Sequence, residues 1–289
     1  MTCPLFVELC AGTAALSLRL QGGRAARPPV SRMGAKTGYA TTILSVLGLR
    51  PGEGAAHYLW CEPDDGARLM LIAYTDPELR RAAASIIRGW ASEEPRALWT
   101  RLRDEGPVKG CPPTWPGPTP PYGHEVARWA WLGVRSWKSG ARHGFQVAST
   151  KSEKHDGGAN YGPTTPAGRI DALPTMPATI LDRATDPPTL PPGTIAYLDP
   201  SYVGTTSYAD NLPRSEVVRL ARAWHEAGAL VVVSEAEPIP DLIGDGWHAM
   251  EITGGRVGAA RTFSRQQREW LTMSRAPAWR PSEQVGLFG

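Results

Sequence analysis

Phe6-Val7-Glu8-Leu9-Cys10-Ala11-Gly12-Thr13-Ala14-Ala15-Leu16-Ser17-Leu18-Arg19-Leu20 reads as a strand, a tight glycine turn and a helix, with Leu16 and Leu20 one turn apart on a single helix face. This is the shape of a nucleotide cradle. Gly12 lets the backbone approach a ligand closely, and Glu8 stands at the strand end. The loop holds only one glycine and no phosphate-gripping Lys-Ser or Lys-Thr pair directly follows it, which disfavours pyrophosphate or nucleoside triphosphate. A ligand without phosphates fits the loop better.

A second strand end carries a different chemistry. Thr194-Ile195-Ala196-Tyr197-Leu198 is apolar, partly β-branched or aromatic, and bounded by Pro191-Pro192-Gly193 and Pro200, so it predicts a buried strand. Asp199 then lies at the carboxyl end, the edge where open α/β sheets bind ligands. There a carboxylate accepts hydrogen bonds from an exocyclic amino group, and Tyr202 offers a stacking face. An ordinary Asp-Pro turn capping a strand accounts for the same residues.

Taken together the two segments carry a resemblance. Glu8-Leu9-Cys10-Ala11-Gly12-Thr13 is similar to the S-adenosylmethionine (AdoMet) loop of class I methyltransferases. Asp199-Pro200-Ser201-Tyr202 resembles the Asp-Pro-Pro-Tyr motif of adenine-N6 DNA methyltransferases, and Val203-Gly204-Thr205-Thr206-Ser207-Tyr208 resembles the run that follows it in the DNA adenine methylase group, phage members included. Ser201 departs from the motif: it replaces the second proline, keeping the acid and the ring while relaxing the backbone between them. The resemblance implies that AdoMet is the cofactor, that Cys10, Ala11, Gly12 and Thr13 line its loop, and that Asp199, Pro200, Ser201 and Tyr202 form the catalytic motif.

Further residues fall where such an enzyme needs them. His57-Tyr58-Leu59-Trp60-Cys61 reads as a second strand ending at Glu62, with a helix over Ala67 to Tyr74; an acid in that place binds ribose hydroxyls in nucleotide folds. A solvated loop acid is the plainer reading of Glu62. Ala178-Thr179-Ile180-Leu181 is a third strand ending at Asp182, which by the family resemblance contacts the AdoMet adenine; a loop acid explains it as well. Ser31-Arg32-Met33-Gly34-Ala35-Lys36-Thr37-Gly38-Tyr39 resembles the Lys-Trp-Ala-Gly-Gly-Lys motif of adenine methylases, and would bring Lys36 to the methionine end of the cofactor. Here it follows the AdoMet loop instead of preceding it. A basic turn before a helix over Tyr39 to Leu47 is the alternative.

Length and composition agree with one α/β core carrying an insertion. The chain has 289 residues, 42% of them hydrophobic, and a formal charge of +3, so nucleic-acid binding depends on local clustering of cations. Cys3, Cys10, Cys61 and Cys111 lack paired metal spacing, which predicts reduced thiols, no zinc and a cytoplasmic protein. No run has the length of a membrane span, and the N-terminus lacks a signal-peptide pattern, so no membrane partner is expected.

The middle differs from both ends. Proline and glycine dominate from Gly106 to Pro121 and forbid regular helix. A helix resumes over Glu125 to Trp137, its tryptophans reading as core residues. Lys138, Arg142, Lys151, Lys154 and Asn160 follow among glycines and an aromatic, a composition that suits contacts to the phosphates and bases of double-stranded DNA as well as a solvated loop. By the resemblance this is the position of a target-recognition region. After the motif, Ser215 reads as the N-cap of a helix stopped by Gly228, and Ala229 to Val233 as the next strand. Arg256, Arg261, Arg265 and Arg268 cluster before Glu269-Trp270-Leu271-Thr272-Met273, which reads as an edge strand.

The expected fold is therefore α/β, a Rossmann-like class I methyltransferase sheet. Residues 1–95 form the AdoMet-binding part, 96–175 an inserted recognition region, and 176–289 the catalytic part. The expected activity is methyl transfer from AdoMet to the exocyclic N6 of adenine in DNA. N4-cytosine methylation, methylation of a protein or small molecule, and a catalytically silent DNA-binding relative are the rivals.

Overall fold

The computed structural model describes residues 3–29, 36–105, 122–135, 164–201, 212–252 and 269–278. Tyr202, Lys138, Arg142, Lys151, Lys154, Asn160, Cys111 and the arginines Arg256, Arg261, Arg265 and Arg268 lie outside these residues.

The strand, turn and helix that open the chain are β1 (Cys3–Leu9) and α1 (Ala15–Gly22). A 3-10 turn (Lys36–Gly38) leads into α2 (Ala40–Val46), then β2 (Ala55–Cys61) and α3 (Asp65–Thr75). Four helices follow among the described residues: α4 (Pro77–Gly89), α5 (Pro95–Asp104), α6 (Gly123–Arg135) and α7 (Thr164–Asp171). The chain then returns to the sheet with β3 (Ala178–Leu181) and β4 (Ile195–Leu198), continuing through α8 (Arg214–Glu226), β5 (Leu230–Glu235), α9 (Pro240–Gly244), β6 (His248–Ile252) and β7 (Glu269–Met273).

These strands make one seven-stranded sheet in the order β3-β2-β1-β4-β5-β7-β6. The pairs from β3 through β5 are parallel, and β7 runs antiparallel to both β5 and β6. The fold is thus α/β with a mostly parallel sheet. Alternate residues of each strand serve opposite faces. Phe6, Tyr58, Trp60, Tyr197 and Val232 pack with α1 through α7 on one face, while Val7, Leu59, Cys61, Ala196, Val231 and Val233 pack with Trp224 of α8, Leu242 of α9 and Trp247 on the other. Burial on both faces explains why these strands read as continuous apolar runs.

Helix starts follow local chemistry. Asp64 caps α3 by accepting from the Ala67 amide at 2.9 Å. Asp76 caps α4 through the amides of Glu78 and Leu79 at 2.9 and 3.1 Å, with Pro77 at the first helical position, so one Asp-Pro pair divides two consecutive helices. Ser215 is not an N-cap: α8 begins at Arg214, the cap position is Pro213, and no side chain caps it. Glu269–Met273 is a strand but lies inside the sheet, because β6 covers its outer side. His248-Ala249-Met250-Glu251-Ile252 escaped the sequence reading because an outermost strand with exposed positions has no apolar run.

Part of the expected insertion joins the main core. Val126, Ala127, Ala130 and Trp131 of α6 and Ala167 and Ile170 of α7 are buried in the same cluster as α3 and α4. Of the tryptophans read as core, Trp131 is fully buried, Trp129 is half-buried against the core, and Trp137 lies outside the described residues. Gly66 makes the α3–α6 approach possible: a Cβ there would sit 1.8 Å from the Trp129 indole nitrogen. No helix among the described residues is long and apolar enough to cross a membrane.

Candidate functional site

The strand order reverses between β1 and β4, and each of the five parallel strands closes with an acid at the same edge. Glu8 lies at the end of β1, Glu62 follows β2, Asp182 follows β3, Asp199 follows β4 and Glu235 ends β5. Such a switch point, at the carboxyl ends of parallel strands, is where open α/β sheets form a crevice.

The loop after β1 is held in an unusual conformation. Cys10 and Ala14 have φ of 67° and 45°, left-handed values that cost a non-glycine residue roughly 1–2 kcal/mol each. Surrounding bonds over-determine it. The Ala11 amide donates to the Cys61 carbonyl at 2.8 Å, the Gly12 amide to Glu62 Oε2 at 2.6 Å, the Ala14 amide to the Ala11 carbonyl at 2.7 Å, and the Tyr74 hydroxyl to the Thr13 carbonyl at 3.1 Å. Strain retained in this way clusters at binding sites. Gly12 has φ 55° and a Cβ placed on it meets nothing within 4 Å, so the loop presents open space there. Beside it, the buried Thr13 Oγ1 has no hydrogen-bond partner.

Glu62 is buried and ties the loop to the next strand end. Besides the Gly12 amide it accepts from the Asp64 amide at 3.0 Å, and Arg68 anchors its main chain by donating to the Glu62 carbonyl at 2.8 Å. A carboxylate oxygen accepts more than one hydrogen bond, so this clamp is compatible with a hydroxyl-bearing ligand. Asp182 is partly exposed at the neighbouring strand end, and its bond from Arg183 holds its carboxyl below the usual range.

Glu8 supports the loop from beneath. It is buried against the first turn of α1, where its carboxylate accepts the Ser17 amide at 2.7 Å. Burial pushes its carboxyl up to about 7, opposed by Ser17 and reinforced by the charge of Asp199. A raised carboxyl contributes stability at low pH that is lost as pH rises through its folded value. Glu8→Gln keeps an acceptor for Ser17 and should therefore gain up to about 3 kcal/mol over the native protein above pH 7. Below 4.5, the ordinary value, it should gain nothing; thermal unfolding across that window checks the sign.

Asp199 and Lys36 meet at the centre. The Asp199 amide donates to the Leu9 carbonyl at 3.3 Å, fastening the end of β4 to the end of β1. Its carboxylate, 19% exposed, lies 2.7 Å from the buried Lys36 ammonium, which is also 3.5 Å from Glu269. Burial pushes the Asp199 carboxyl up to about 6; Lys36 opposes that shift, while Glu269 and Glu235 add to it. Ser234 Oγ donates to Glu269, and Arg214 pairs with Glu235 at 3.2 Å. Burial raises the Glu235 carboxyl as well.

Of the sequence-derived site residues, Glu8, Cys10, Ala11, Gly12, Thr13, Glu62, Asp182, Lys36, Asp199, Pro200 and Ser201 are described, and the sheet places the strand-end acids along one edge. Lys36 bonds Asp199 and Glu269, tying the segment after α1 to the Asp-Pro end instead of marking a free cationic turn. Burial, then the charges of Glu62 and Asp199, raises the Cys10 thiol above the usual range, and burial pushes Cys61 up to about 12, so both behave as unreactive thiols. Glu235 and Glu269 were missed. Glu235 carried the same signal as the other acids, a carboxylate closing an apolar strand; Glu269 had none, since only the antiparallel course of β7 brings its first residue to this edge.

No protein-family model matches the chain, and no curated protein matches it.

Proposed function

We propose that the protein is an AdoMet-dependent DNA methyltransferase that modifies the exocyclic N6 of adenine. One observation carries this reading: the strained glycine loop clamped by Glu62 and the Asp199-Pro200 end of β4 lie side by side at the sheet's switch point. A loop open at Gly12, with an orphaned hydroxyl at Thr13 and acids at the next two strand ends, fits an adenosine moiety that brings no phosphate. Gly12, Thr13, Glu62 and Asp182 would hold AdoMet, and Glu8 would hold the loop. The bound cofactor supplies an electrophilic methyl group on a sulfonium.

The chain contributes position and charge. Asp199 and the Pro200 carbonyl accept hydrogen bonds from the adenine amino group, favouring a more tetrahedral nitrogen whose lone pair is available for attack. Lys36 keeps the Asp199 carboxylate ionised, and therefore an acceptor, in a buried setting. Tyr202 stacks on the extruded base, a contact worth roughly 1–3 kcal/mol. Lys138, Arg142, Lys151, Lys154 and Asn160 supply the DNA surface in this reading.

The test is tritium transfer from labelled AdoMet to duplex DNA, followed by digestion and identification of the labelled nucleoside. N6-methyladenine is expected. N4-methylcytosine would reassign the target, and an unlabelled digest would reject the activity. A companion test addresses the cofactor. Aspartate tolerates the left-handed backbone at Gly12 better than most residues and finds space there, so Gly12→Asp should lose no more than about 1–2 kcal/mol of stability and stay folded at assay temperature. Its carboxylate would occupy the open face beside Glu62, and AdoMet affinity measured by calorimetry should be lost. Unchanged affinity would remove the cofactor assignment.

A further inference from the structure

At the far end of α1 three arginines gather, with no acid paired to them among the described residues. Arg19, in the last turn of α1, is 8% exposed, and its Nε has no hydrogen-bond partner. Arg24 and Arg27 follow on the exposed loop that turns at Gly23, where the Ala26 amide donates to the Gly23 carbonyl at 3.2 Å. Their charges reach Arg19: burial first, then Arg27 and Arg24, holds its guanidinium below the ordinary arginine range. Among the described residues no carboxylate pairs with any of the three.

Their place in the fold separates them from the site described above. The amides of Gly52 and Gly54, just ahead of β2, donate to the Leu20 carbonyl at 2.8 and 2.9 Å, so this end of α1 lies at the amino edge of the sheet. Gly12, Glu62 and Asp199 lie at the carboxyl edge. A buried cation is costly unless paired, and the carbonyls at a helix C-terminus offset only part of that cost. Two further guanidiniums raise it. What lowers it is an anion of more than one charge with several acceptor oxygens, which matches the planar donor fork of arginine.

We propose that Arg19, Arg24 and Arg27 bind a phosphate group at the amino edge of the sheet. The proposal does not rest on methyl transfer. The group is either free phosphate or a phosphate of a nucleic-acid backbone, and two measurements on the full chain distinguish them. The first is equilibrium dialysis of radiolabelled inorganic phosphate against the native protein and the Arg24→Ala/Arg27→Ala variant, whose substituted residues are exposed and whose circular dichroism should match. Saturable binding by the native protein is expected, weakened about ten-fold for each arginine removed. The second is the salt dependence of duplex DNA binding. A backbone phosphate predicts a slope of log affinity against log salt shallower by about 1–2 in the variant, whereas free phosphate predicts equal slopes together with lost phosphate binding. Equal phosphate binding and equal slopes in the two proteins would overturn the proposal.

Discussion

Asp199→Ala is expected to reduce methyl transfer to duplex DNA by on the order of 10²–10³-fold, the loss typical when one preorganised polar group is taken from a reacting centre. AdoMet affinity should change little, because the loop at Gly12 is held by Glu62, Cys61 and Tyr74 and not by the Asp199 side chain. The fold should persist as well: Lys36 loses its 2.7 Å partner but keeps Glu269 at 3.5 Å. The rate of tritium transfer and calorimetric binding of AdoMet separate these effects. A variant that methylates at the native rate would reduce Asp199-Pro200 to a turn at the end of a strand. One that loses cofactor binding would show instead that Asp199 builds the AdoMet site.

The second large effect is expected at Lys36. Its ammonium is the cation among Asp199, Glu269 and Glu235, with Arg214 engaged at Glu235 and the buried Glu8 carboxyl nearby. Lys36→Met removes the influence that holds the Asp199 carboxyl down while leaving burial and the two neighbouring acids that raise it. The native rate should fall as pH drops through about 6, where Asp199 takes up a proton and stops accepting. In the variant the same fall should begin at higher pH. Breaking a buried ion pair from one side costs roughly 3–5 kcal/mol. Because a raised carboxyl is stabilising when protonated, that loss should shrink at low pH and grow as pH rises. A pH–rate profile and denaturant unfolding at acidic and neutral pH check both signs. An unshifted acid limb would show that Asp199 does not depend on Lys36 for its charge.

Much of the site was legible because local chemistry and tertiary position coincide at strand ends. Leu9, Cys61, Leu181 and Leu198 each close an apolar run, and the acids at those ends announced the edge before any pairing was known. The loop conformation was legible only at Gly12. The positive φ of Cys10 and Ala14 has no sequence signal, since neither residue favours that region, and both are imposed by the bonds around them.

The sequence by itself determined β1 to β5 and β7, the helices α1, α2, α3, α6 and α8, the positions of Glu8, Glu62, Asp182 and Asp199 at strand ends, and the core role of Trp131, but not α4, α5, α7, α9 or β6. Burial on both sheet faces leaves long apolar runs, and runs of that kind are local. Only the tertiary structure decided that Lys36 meets Asp199, that β7 runs antiparallel inside the sheet, and that Glu269 therefore joins the same cluster. The Lys36 contacts join segments far apart in the chain, and β7 reaches its place by crossing back between β5 and β6. Their geometry is set by strand order and direction, which no local pattern of side chains encodes.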